Sequence, residues 1–400
     1  MIVPETGTTD WCSPAFFVPK GDKIRVRLVT DYTQLNKHVN RPIHLFAHTS
    51  EILQAIPPEA KFFAKLDAVH GYFQLGLDEK SSKLTTFLLP QGKFRYLRAP
   101  MGLNASSDEW CCQSDVIIHG IPWARKIVDD TLIWGSTEEE LLERTRIILD
   151  RCKTAGITIS RKKLELGSRI QFAGHIISDA GIQPDEDKYT AISEFPQPQN
   201  LKDLRSFLGL ANQLASFVPD LAHMTSQLRP LLKKGNAWIW LEEHEAAFKK
   251  IKQLLTSKTV VHPYDPKKET TLLTDASRLH GLGFALMQKT GDKMTLVQCG
   301  SCTLTPTQQR YATIELECMA IQWAVRKCDF FLRGLPHFSV LTDHRPLVGI
   351  FSKQLSHLEN SRLMRMREKL TNYTFDVTWV GWLVGWFIFL DNLYGWYTYN

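Results

Sequence analysis

Hydrophobic and polar residues recur with two different periods along the chain, which predicts both strands and helices. In AKFFAKLDAVHG they alternate from Phe62 onward, which predicts a strand that ends near Asp67. In RKIVDDTLIWG, apolar residues stand on both sides of Asp129 and Asp130. That pattern is typical of a hairpin with the acids at or near its turn.

Helical periods appear in three places. STEEELLERTRIILDRCKTAG predicts a helix with a capping box between Thr137 and Glu140 and a stop at Gly156. After about residue 196 the pattern predicts a second helix, with Asn200 as its cap and Pro219 as its break. EEHEAAFKKIKQLL predicts a third.

The last third of the chain mixes strand and helix signals. VHPYDPKKET, residues 261–270, has the composition of a linker. TTLLTDASRLHGLGFALMQ then predicts two strands with glycines at the bend, and HFSVLTDHRPL predicts a strand ending at Asp343. Between them, Thr305 is expected to cap a helix, with Pro306 at its first position and Gln308 completing a capping box. This order indicates an α+β or α/β domain.

Composition narrows the class of protein. A chain of 400 residues is too long for one core, and 44% apolar with 22% charged residues is ordinary for a globular protein. A net charge of +6 permits a polyanionic partner without requiring one. Eight cysteines are too few for a disulfide scaffold, which favours an intracellular setting, and no stretch approaches the ~20 apolar residues of a membrane span. The CxxC at Cys299–Cys302 lacks the second pair of a structural zinc site.

Acidic residues stand at strand ends or beside a helix stripe in both halves of the chain. They are Asp67, Asp129 and Asp130 in the first half, and Asp275, Glu317 and Asp343 in the second. Clustered carboxylates repel one another unless a cation neutralises them, and an all-oxygen ligand set fits Mg²⁺ or Mn²⁺. Two such ions about 3.5–4 Å apart serve phosphoryl transfer. Any single aspartate is more often a turn former or cap, but the combination favours metal sites.

The position of Glu317 follows from helical spacing. The buried stripe of its helix is Ile314, Cys318, Ile321 and Val325. Glu317 is three residues from Ile314 and four from Ile321, so it flanks that stripe. It is therefore expected to point to the sheet edge where Asp275 and Asp343 would stand.

At this point the chain resembles a known family over about residues 6 to 380. The motifs, in order, are TDWCSPAFFVPK, RLVTDYTQLNK, LDAVHGYFQL, APMGL, VDD, FAGHIIS, LRSFLGLANQ, LLTDAS, IELECMAIQWAV and VLTDHRPL. The chain looks like the reverse transcriptase–ribonuclease H region of a gypsy-type LTR retrotransposon pol polyprotein. The resemblance implies a multi-domain α+β fold. It would have a right-hand polymerase palm and fingers, a helical thumb or connection, and an α/β ribonuclease H-like domain.

The resemblance also implies domain limits and roles. Fingers and palm would span 1–180, the thumb or connection 181–260, the ribonuclease H-like domain 261–380, and an atypical tail 381–400. Asp67, Asp129 and Asp130 would be the polymerase metal triad. The dNTP-binding residues would be Lys20, Arg27, Tyr72, Met101 and Gly102, with Tyr72 excluding a ribose 2′-OH. The primer-positioning residues would be Phe172, Gly174 and His175.

In the second domain, Asp275, Glu317 and Asp343 match three of the four metal-binding acids of ribonuclease H. Glu315 is a tempting but wrong choice. In the family motif the ligand is followed by two residues and then an alanine, which is Ala320 here, so the match is Glu317. Each active site would use two Mg²⁺ or Mn²⁺ ions. Substrates and partners would be an RNA template, a DNA primer, an RNA–DNA hybrid and dNTPs, with no membrane.

Three departures from the family are visible. Ile127 stands where related enzymes have an aromatic residue, and it keeps the strand apolar. Met1 is expected to mark a truncated start that leaves the fingers incomplete. After Trp382 the tail is dense in aromatics, with Asp391 as its one acid. Two readings stay open: Asp391 is a displaced fourth catalytic ligand, or the tail is a frameshifted or spliced sequence, in which case nuclease activity would be weak or absent.

The function expected from the sequence is an RNA- and DNA-templated DNA polymerase with an attached ribonuclease H, acting in retrotransposon replication. The alternative is a degenerate or co-opted retroelement remnant that binds nucleic acid without catalysis. A host nuclease with only the second activity would leave the acids of the first half unexplained. Protease and integrase parts of the polyprotein are not visible in this chain. A cytoplasmic particle is the expected location, with the nucleus as the alternative.

Overall fold

A computed structural model describes residues 1–19, 26–218, 221–233, 235–236, 238–256, 259–279 and 281–381. The chain forms two compact units, Met1–Ala173 and Gly174–Asn400. Both combine helices with sheets whose strands are mostly antiparallel, so the α+β class expected from the sequence is confirmed. The three-part division with a tail stays a prediction.

The first unit is built on two sheets. Its strands are β1 (Ile2–Pro4), β2 (Ser13–Pro19), β3 (Val26–Thr30), β4 (Phe62–Asp67), β5 (Phe87–Leu89), β6 (Gly92–Tyr96), β7 (Ala124–Ile127), β8 (Asp130–Gly135), β9 (Glu165–Gly167) and β10 (Arg169–Phe172). Its helices are α1 (Thr49–Gln54), α2 (Gly71–Gln74), α3 (Glu79–Leu84), α4 (Asn104–Ser114) and α5 (Glu138–Thr154). One sheet has the order β1-β6-β5-β2-β3 and the other β7-β8-β4-β9.

Helix α5 covers the β7-β8-β4-β9 sheet. Its N-cap Thr137 accepts from the backbone N–H of Glu140 (3.2 Å), and Gly156 follows its C-terminus with φ +70°, as expected. The capping box forms only in part, because the Glu140 carboxylate accepts from the N–H of Ser136 (2.6 Å) and not from that of Thr137. The buried side chains of Leu141 and Ile148 pack with those of the sheet in one core cluster. This packing makes the sheet a rigid support for the ends of β4 and β8.

The second unit contains a sheet and a group of helices. Its strands are β11 (His175–Ser178), β12 (Gly181–Pro184), β13 (Thr270–Ser277), β14 (Gly281–Thr290), β15 (Lys293–Cys302), β16 (Phe338–Thr342) and β17 (Phe375–Trp379). Its helices are α6 (Glu186–Ser193), α7 (Leu201–Asn212), α8 (Leu221–Ser226), α9 (Glu242–Leu255), α10 (Thr313–Lys327), α11 (Asp329–Leu332), α12 (Pro346–Ser352) and α13 (Ser361–Glu368). The larger sheet has the order β15-β14-β13-β16-β17, with β13 and β16 parallel.

The helices α6, α7 and α9 share one apolar core, and the expected cap of α7 is present. The side chain of Asn200 accepts from the backbone N–H groups of Lys202 and Asp203. The expected continuation of this helix to a break at Pro219 is wrong, because α7 already ends at Asn212. Pro219 itself lies outside the described residues. The backbone of Leu214 (φ −100°, ψ 6°) is no longer helical, and a short 3-10 turn follows it. Leu214 and Val218, which follow the helix, are buried outside any α-helix and fill the same core.

The capping box expected at Thr305 forms, but it does not begin the long helix. Gln308 accepts from the backbone N–H of Thr305 (2.9 Å) and donates its own backbone N–H to the Thr305 hydroxyl (3.3 Å). These bonds cap only a 3-10 turn, because Tyr311 adopts an extended conformation with ψ 151°. Helix α10 begins at Thr313, with the Glu315 carboxylate accepting from the N–H of Ala312.

The two cysteines of the CxxC motif lie on one strand, β15. Residues three apart on a strand point to opposite faces, so Cys299 and Cys302 do not converge. The Cys299 thiol is buried and donates to the carbonyl of Ser216. The geometry therefore agrees with the rejection of a zinc site.

The segment 261–270, expected to be a linker, is docked on its surroundings. Val261 pairs with Ile182, and the side-chain amide of Gln288 exchanges hydrogen bonds with the backbone of Asp265. Within the described residues, no helix combines the length and the apolar composition that a membrane crossing needs.

Candidate active sites

The expected hairpin carries the first group of acids. Strands β7 and β8 pair antiparallel through Ile127 and Asp130, and β8 pairs with β4 so that Asp130 lies opposite Asp67. The backbone N–H of Ala68 donates to the carbonyl of Asp129 (3.0 Å). Two strand ends thus bring the three aspartates to one edge of the sheet.

Burial of these carboxylates is costly in the absence of a cation. The Oδ1 atoms of Asp129 and Asp130 are buried and have no hydrogen-bond partner among the described residues. Burial raises the pKa of Asp129, and the charges of Asp67 and Asp130 raise it further. Burial and the Asp67 charge also raise the pKa of Asp130, which Lys65 and Lys163 oppose. Without a cation, Asp129 and Asp130 therefore both have a raised pKa.

One exposed lysine contacts the group. Lys163 forms an ion pair with Asp67 (2.9 Å), and its own side chain is 65% exposed. This bond raises the pKa of Lys163. An exposed side chain gains little from such a pair, so the lysine can leave Asp67 at small cost when a stronger cation binds.

A glycine sets the distance between Asp129 and α4. A Cβ atom placed on Gly71 would lie 2.1 Å from Asp129 Oδ1 and 2.6 Å from Trp110 Cε2. The indole Nε1 of Trp110 donates to the carbonyl of Val128 (3.2 Å). Tyr72 is the residue after Gly71, and its hydroxyl accepts from the hydroxyl of Ser107 (3.2 Å). Burial raises the pKa of Tyr72, and the nearby charge of Asp129 raises it further. A role of Tyr72 in nucleotide binding stays a prediction.

Gly71→Ala is expected to destabilise the first unit by about 1–3 kcal/mol, since the methyl group has no space. It should also lower any activity of the three aspartates by roughly 10²-fold, because Asp129 must move. Chemical denaturation and primer extension measure the two effects. The matched control is Gly209→Ala in α7, where a Cβ meets nothing within 4 Å and should be neutral or mildly stabilising. Equal behaviour of the two variants would contradict this geometry.

Of the other expected nucleotide-binding residues, Arg27 lies on the β1-β6-β5-β2-β3 sheet, and Met101 and Gly102 lie beside it. Arg27 is exposed on β3, opposite Val18 of β2. Gly102 has φ +89°, its carbonyl accepts from Asn36, and Met101 beside it is 43% exposed. Lys20 lies outside the described residues. The assignment of these residues to a dNTP stays a prediction.

The expected primer-positioning residues lie where the chain passes from the first unit to the second. Phe172 is fully buried, which makes its side chain a core residue. Ala173 and Gly174 both have positive φ, of 48° and 72°, and form a tight turn. The ring of His175 packs against Phe217 at 5.8 Å between centroids. Their effect on a primer stays a prediction.

The second group of acids is the more compact. Ligand oxygens of Asp275, Glu317 and Asp343 all lie within 4.8 Å of one another. Asp275 is on β13, Asp343 directly follows the parallel neighbour β16, and Glu317 comes from α10. The helical spacing thus directs Glu317 to the sheet edge as expected. Among the described residues, no other three His, Cys, Asp or Glu side chains place their ligand atoms this close together.

Glu317 carries the electrostatic strain of this cluster. It is 4% exposed, and its Oε2 has no hydrogen-bond partner within the described part of the chain. Burial, then the charges of Asp275 and Asp343, raise its pKa to about 9. The backbone of Ala276 also donates to the Glu317 carboxylate, so only one of its oxygens is without a partner among the described residues. Three converging carboxylates, one of them buried, form a donor set that fits Mg²⁺ or Mn²⁺.

Glu315, the rejected alternative, has a structural role. Burial raises its pKa, but hydrogen bonds from Asn360, the Ala312 N–H and Arg362 outweigh this and hold it below its ordinary value. It therefore caps α10 and has no free oxygen directed at the cluster. Asp391, the proposed fourth ligand, lies outside the described residues.

Sequence reasoning missed two residues beneath the first group of acids. Lys126 is buried on β7 and lowers the pKa of Asp129, and Trp110 holds the turn from α4. A single lysine in a strand is typical of a surface position, and its partner Asp115 lies in a 3-10 turn after α4. The sequence carries no periodic signal for this pairing.

Comparisons with known families match both units. Residues 18–177 match the family described as reverse transcriptase (RNA-dependent DNA polymerase). Residues 265–373 match the RNase H-like domain found in reverse transcriptase. The matches include all six acids of the two groups.

Among the proteins similar to the chain are transposon polyproteins. The chain is 30% identical over 386 residues to the retrovirus-related Pol polyprotein from transposon 412 of Drosophila melanogaster, covering 94% of this chain and 31% of that protein. It is 30% identical over 383 residues to the transposon Tf2-3 polyprotein of Schizosaccharomyces pombe, covering 94% and 28%. The chain thus spans about a third of the length of these relatives.

Solved structures share the fold. A foamy viral protease-reverse transcriptase in complex with dsDNA has a TM-score of 0.81 at 22% identity, covering 96% of this chain and 80% of that one. A related structure of that enzyme with ds DNA has a TM-score of 0.82 at 22% identity, covering 95% and 66%. The expected fold, a polymerase followed by an RNase H-like domain, is confirmed.

Proposed function

The chain carries the reverse transcriptase and RNase H-like domains of an LTR retrotransposon Pol polyprotein, and from this premise we propose that it extends a DNA primer on an RNA or DNA template. The observation that carries the proposal is the convergence of Asp67, Asp129 and Asp130, with two buried oxygens that have no hydrogen-bond partner in the part of the chain that the structure describes. Its substrates are dNTPs and a primed RNA or DNA template.

The reaction joins the primer 3′-oxygen to the α-phosphorus of a dNTP and releases pyrophosphate. Asp67, Asp129 and Asp130 would hold two Mg²⁺ or Mn²⁺ ions, which when bound activate the hydroxyl and stabilise charge on the reacting oxygens. Rigid strands place the three carboxylates before substrate arrives. Tyr72 would exclude a nucleotide with a ribose 2′-OH. The dNTP-binding site would be lined by Lys20, Arg27, Met101 and Gly102.

For the second unit we propose cleavage of RNA in an RNA–DNA hybrid. Asp275, Glu317 and Asp343 would hold its two ions, and hybrid shape with the 2′-OH would select the substrate. The buried carboxylate of Glu317 supports a cation there. Both activities would serve retrotransposon replication, in a cytoplasmic particle or in the nucleus, beside a protease and an integrase supplied by other parts of the polyprotein.

The test is extension of a labelled DNA primer on an RNA template with Mg²⁺ or Mn²⁺, with EDTA as the metal-free reaction. We expect extension with either ion and none with EDTA. Binding of the primed template without extension would instead support the alternative, a remnant that binds nucleic acid without catalysis. Hybrid cleavage is measured separately, with Asp275→Asn as its inactive reference.

A further inference from the structure

Lys126 is a buried cation directly beneath the turn that carries Asp129. Its side chain is 4% exposed and forms an ion pair with Asp115 (2.9 Å). The same ammonium donates to the Ser114 hydroxyl (2.7 Å) and to the carbonyl of Val128 (3.4 Å). A lysine has three N–H donors, so this position uses all of them.

The acceptor carbonyl belongs to a strained residue. Val128 has φ +50°, a left-handed conformation that is a rare outlier for a β-branched side chain. Its carbonyl receives two donors, Lys126 and the indole of Trp110 (3.2 Å). That peptide group leads directly into Asp129, whose own carbonyl is fixed by the N–H of Ala68. The orientation of the Val128 peptide therefore sets the position of the Asp129 side chain.

Stability does not account for a charge at this position. Burying an ammonium costs several kcal/mol before its partners offset the loss, and an apolar residue in place of a buried ion pair is often neutral or stabilising. Asp115 is 42% exposed and can be solvated without Lys126. The neighbouring strand residue Ala124 is fully buried, so an apolar side chain would suit this face.

We propose that Lys126 is a positioning residue of the polymerase site. It holds the Val128 carbonyl so that Asp129 and Asp130 keep their orientation toward Asp67. Asp115 forms an ion pair with the ammonium and is itself bound by His44 (2.8 Å), so the support extends to the loop before α1. The inference rests on the proposed polymerase function for its catalytic consequence, but the order of the turn is measurable without it.

The test compares Lys126→Met with Lys153→Met, an exposed lysine near the end of α5, as the matched control. Two properties are measured: single-turnover primer extension as a function of dNTP concentration, and hydrogen exchange of peptides covering residues 124–131. For Lys126→Met we expect the maximal rate to fall about tenfold to a hundredfold with little change in the dNTP dependence. Exchange should accelerate at 124–131 while the melting midpoint stays near that of wild type. Lys153→Met should match wild type.

Asp115→Asn is the second variant, because it removes the partner charge at a partly exposed position and leaves the lysine in place. It should accelerate exchange in the same peptides, by less. Unchanged exchange at 124–131 in both variants would overturn the inference. So would an exchange increase spread over the whole first unit with a lower melting midpoint, since that marks a general structural role. If wild type extends no primer, the proposed function fails, and the exchange result alone decides the role of Lys126.

Discussion

Asp129→Asn is expected to slow primer extension by roughly 10³-fold or more, the largest effect of any single change in the first unit. The substitution keeps the shape of the side chain and removes the negative charge that would hold a cation. Because burial and two neighbouring carboxylates already raise the pKa of Asp129, the neutral amide should also relieve repulsion in the metal-free protein. The melting midpoint without metal should therefore stay equal or rise while activity is lost.

The matched control is Asp150→Asn, an exposed aspartate on α5 in the same unit. It should change neither the rate nor the melting midpoint. Rate constants come from single-turnover extension with saturating dNTP, and midpoints from calorimetry in EDTA. If Asp129→Asn retained more than about a tenth of the wild-type rate, Asp129 would not be a catalytic ligand.

Glu317→Gln is expected to have the second largest effect, through both pH and metal. With a pKa near 9, folded Glu317 keeps a proton that an unfolded glutamate releases above its ordinary value of 4.5. Between these two pH values the folded state binds more protons than the unfolded state, so the free energy of unfolding decreases as pH rises. The slope is at most about 1.4 kcal/mol per pH unit.

In EDTA, the melting temperature of wild type should therefore fall as the pH rises from 6 to 8.5. The melting temperature of Glu317→Gln should fall much less over the same range. Added Mg²⁺ or Mn²⁺ should restore wild type more at the higher pH, because the ligand must be deprotonated, and should not restore the variant. Hybrid cleavage should be absent in the variant. The control is Glu315→Gln, which weakens the bond to Arg362 and should lower stability at every pH in this range. Parallel pH profiles for wild type and Glu317→Gln would contradict the assignment.

The sequence predicted what depends on local periods. The Asp129–Asp130 hairpin, the Thr137 cap and the direction of Glu317 each follow from a few neighbouring residues, and the structure confirms them. The end of α7 and the start of α10 were missed, because apolar residues continue beyond Asn212 and a capping box also suits a short turn. Local patterns do not say how far a helix continues once tertiary packing can bury loop side chains.

Contacts between residues far apart in the chain could not be predicted from the sequence at the first site either. Lys163 lies 96 residues from Asp67, and neither lies in a pattern that connects them. Gly71 is required only because Trp110 and Asp129 approach it from other elements. The roles of such residues can be assigned only from the three-dimensional arrangement, in which strands β4 and β8 lie side by side.

The central claim is that one chain carries two separate carboxylate sites, of which the first extends primers on RNA. Single-turnover extension of a DNA primer on an RNA template, run side by side with wild type, Asp129→Asn and Glu317→Gln, tests it most directly. We predict extension by wild type and by Glu317→Gln at similar rates, and a loss of roughly 10³-fold in Asp129→Asn. Extension by wild type no faster than by Asp129→Asn, or an equal loss in Glu317→Gln, would contradict the account.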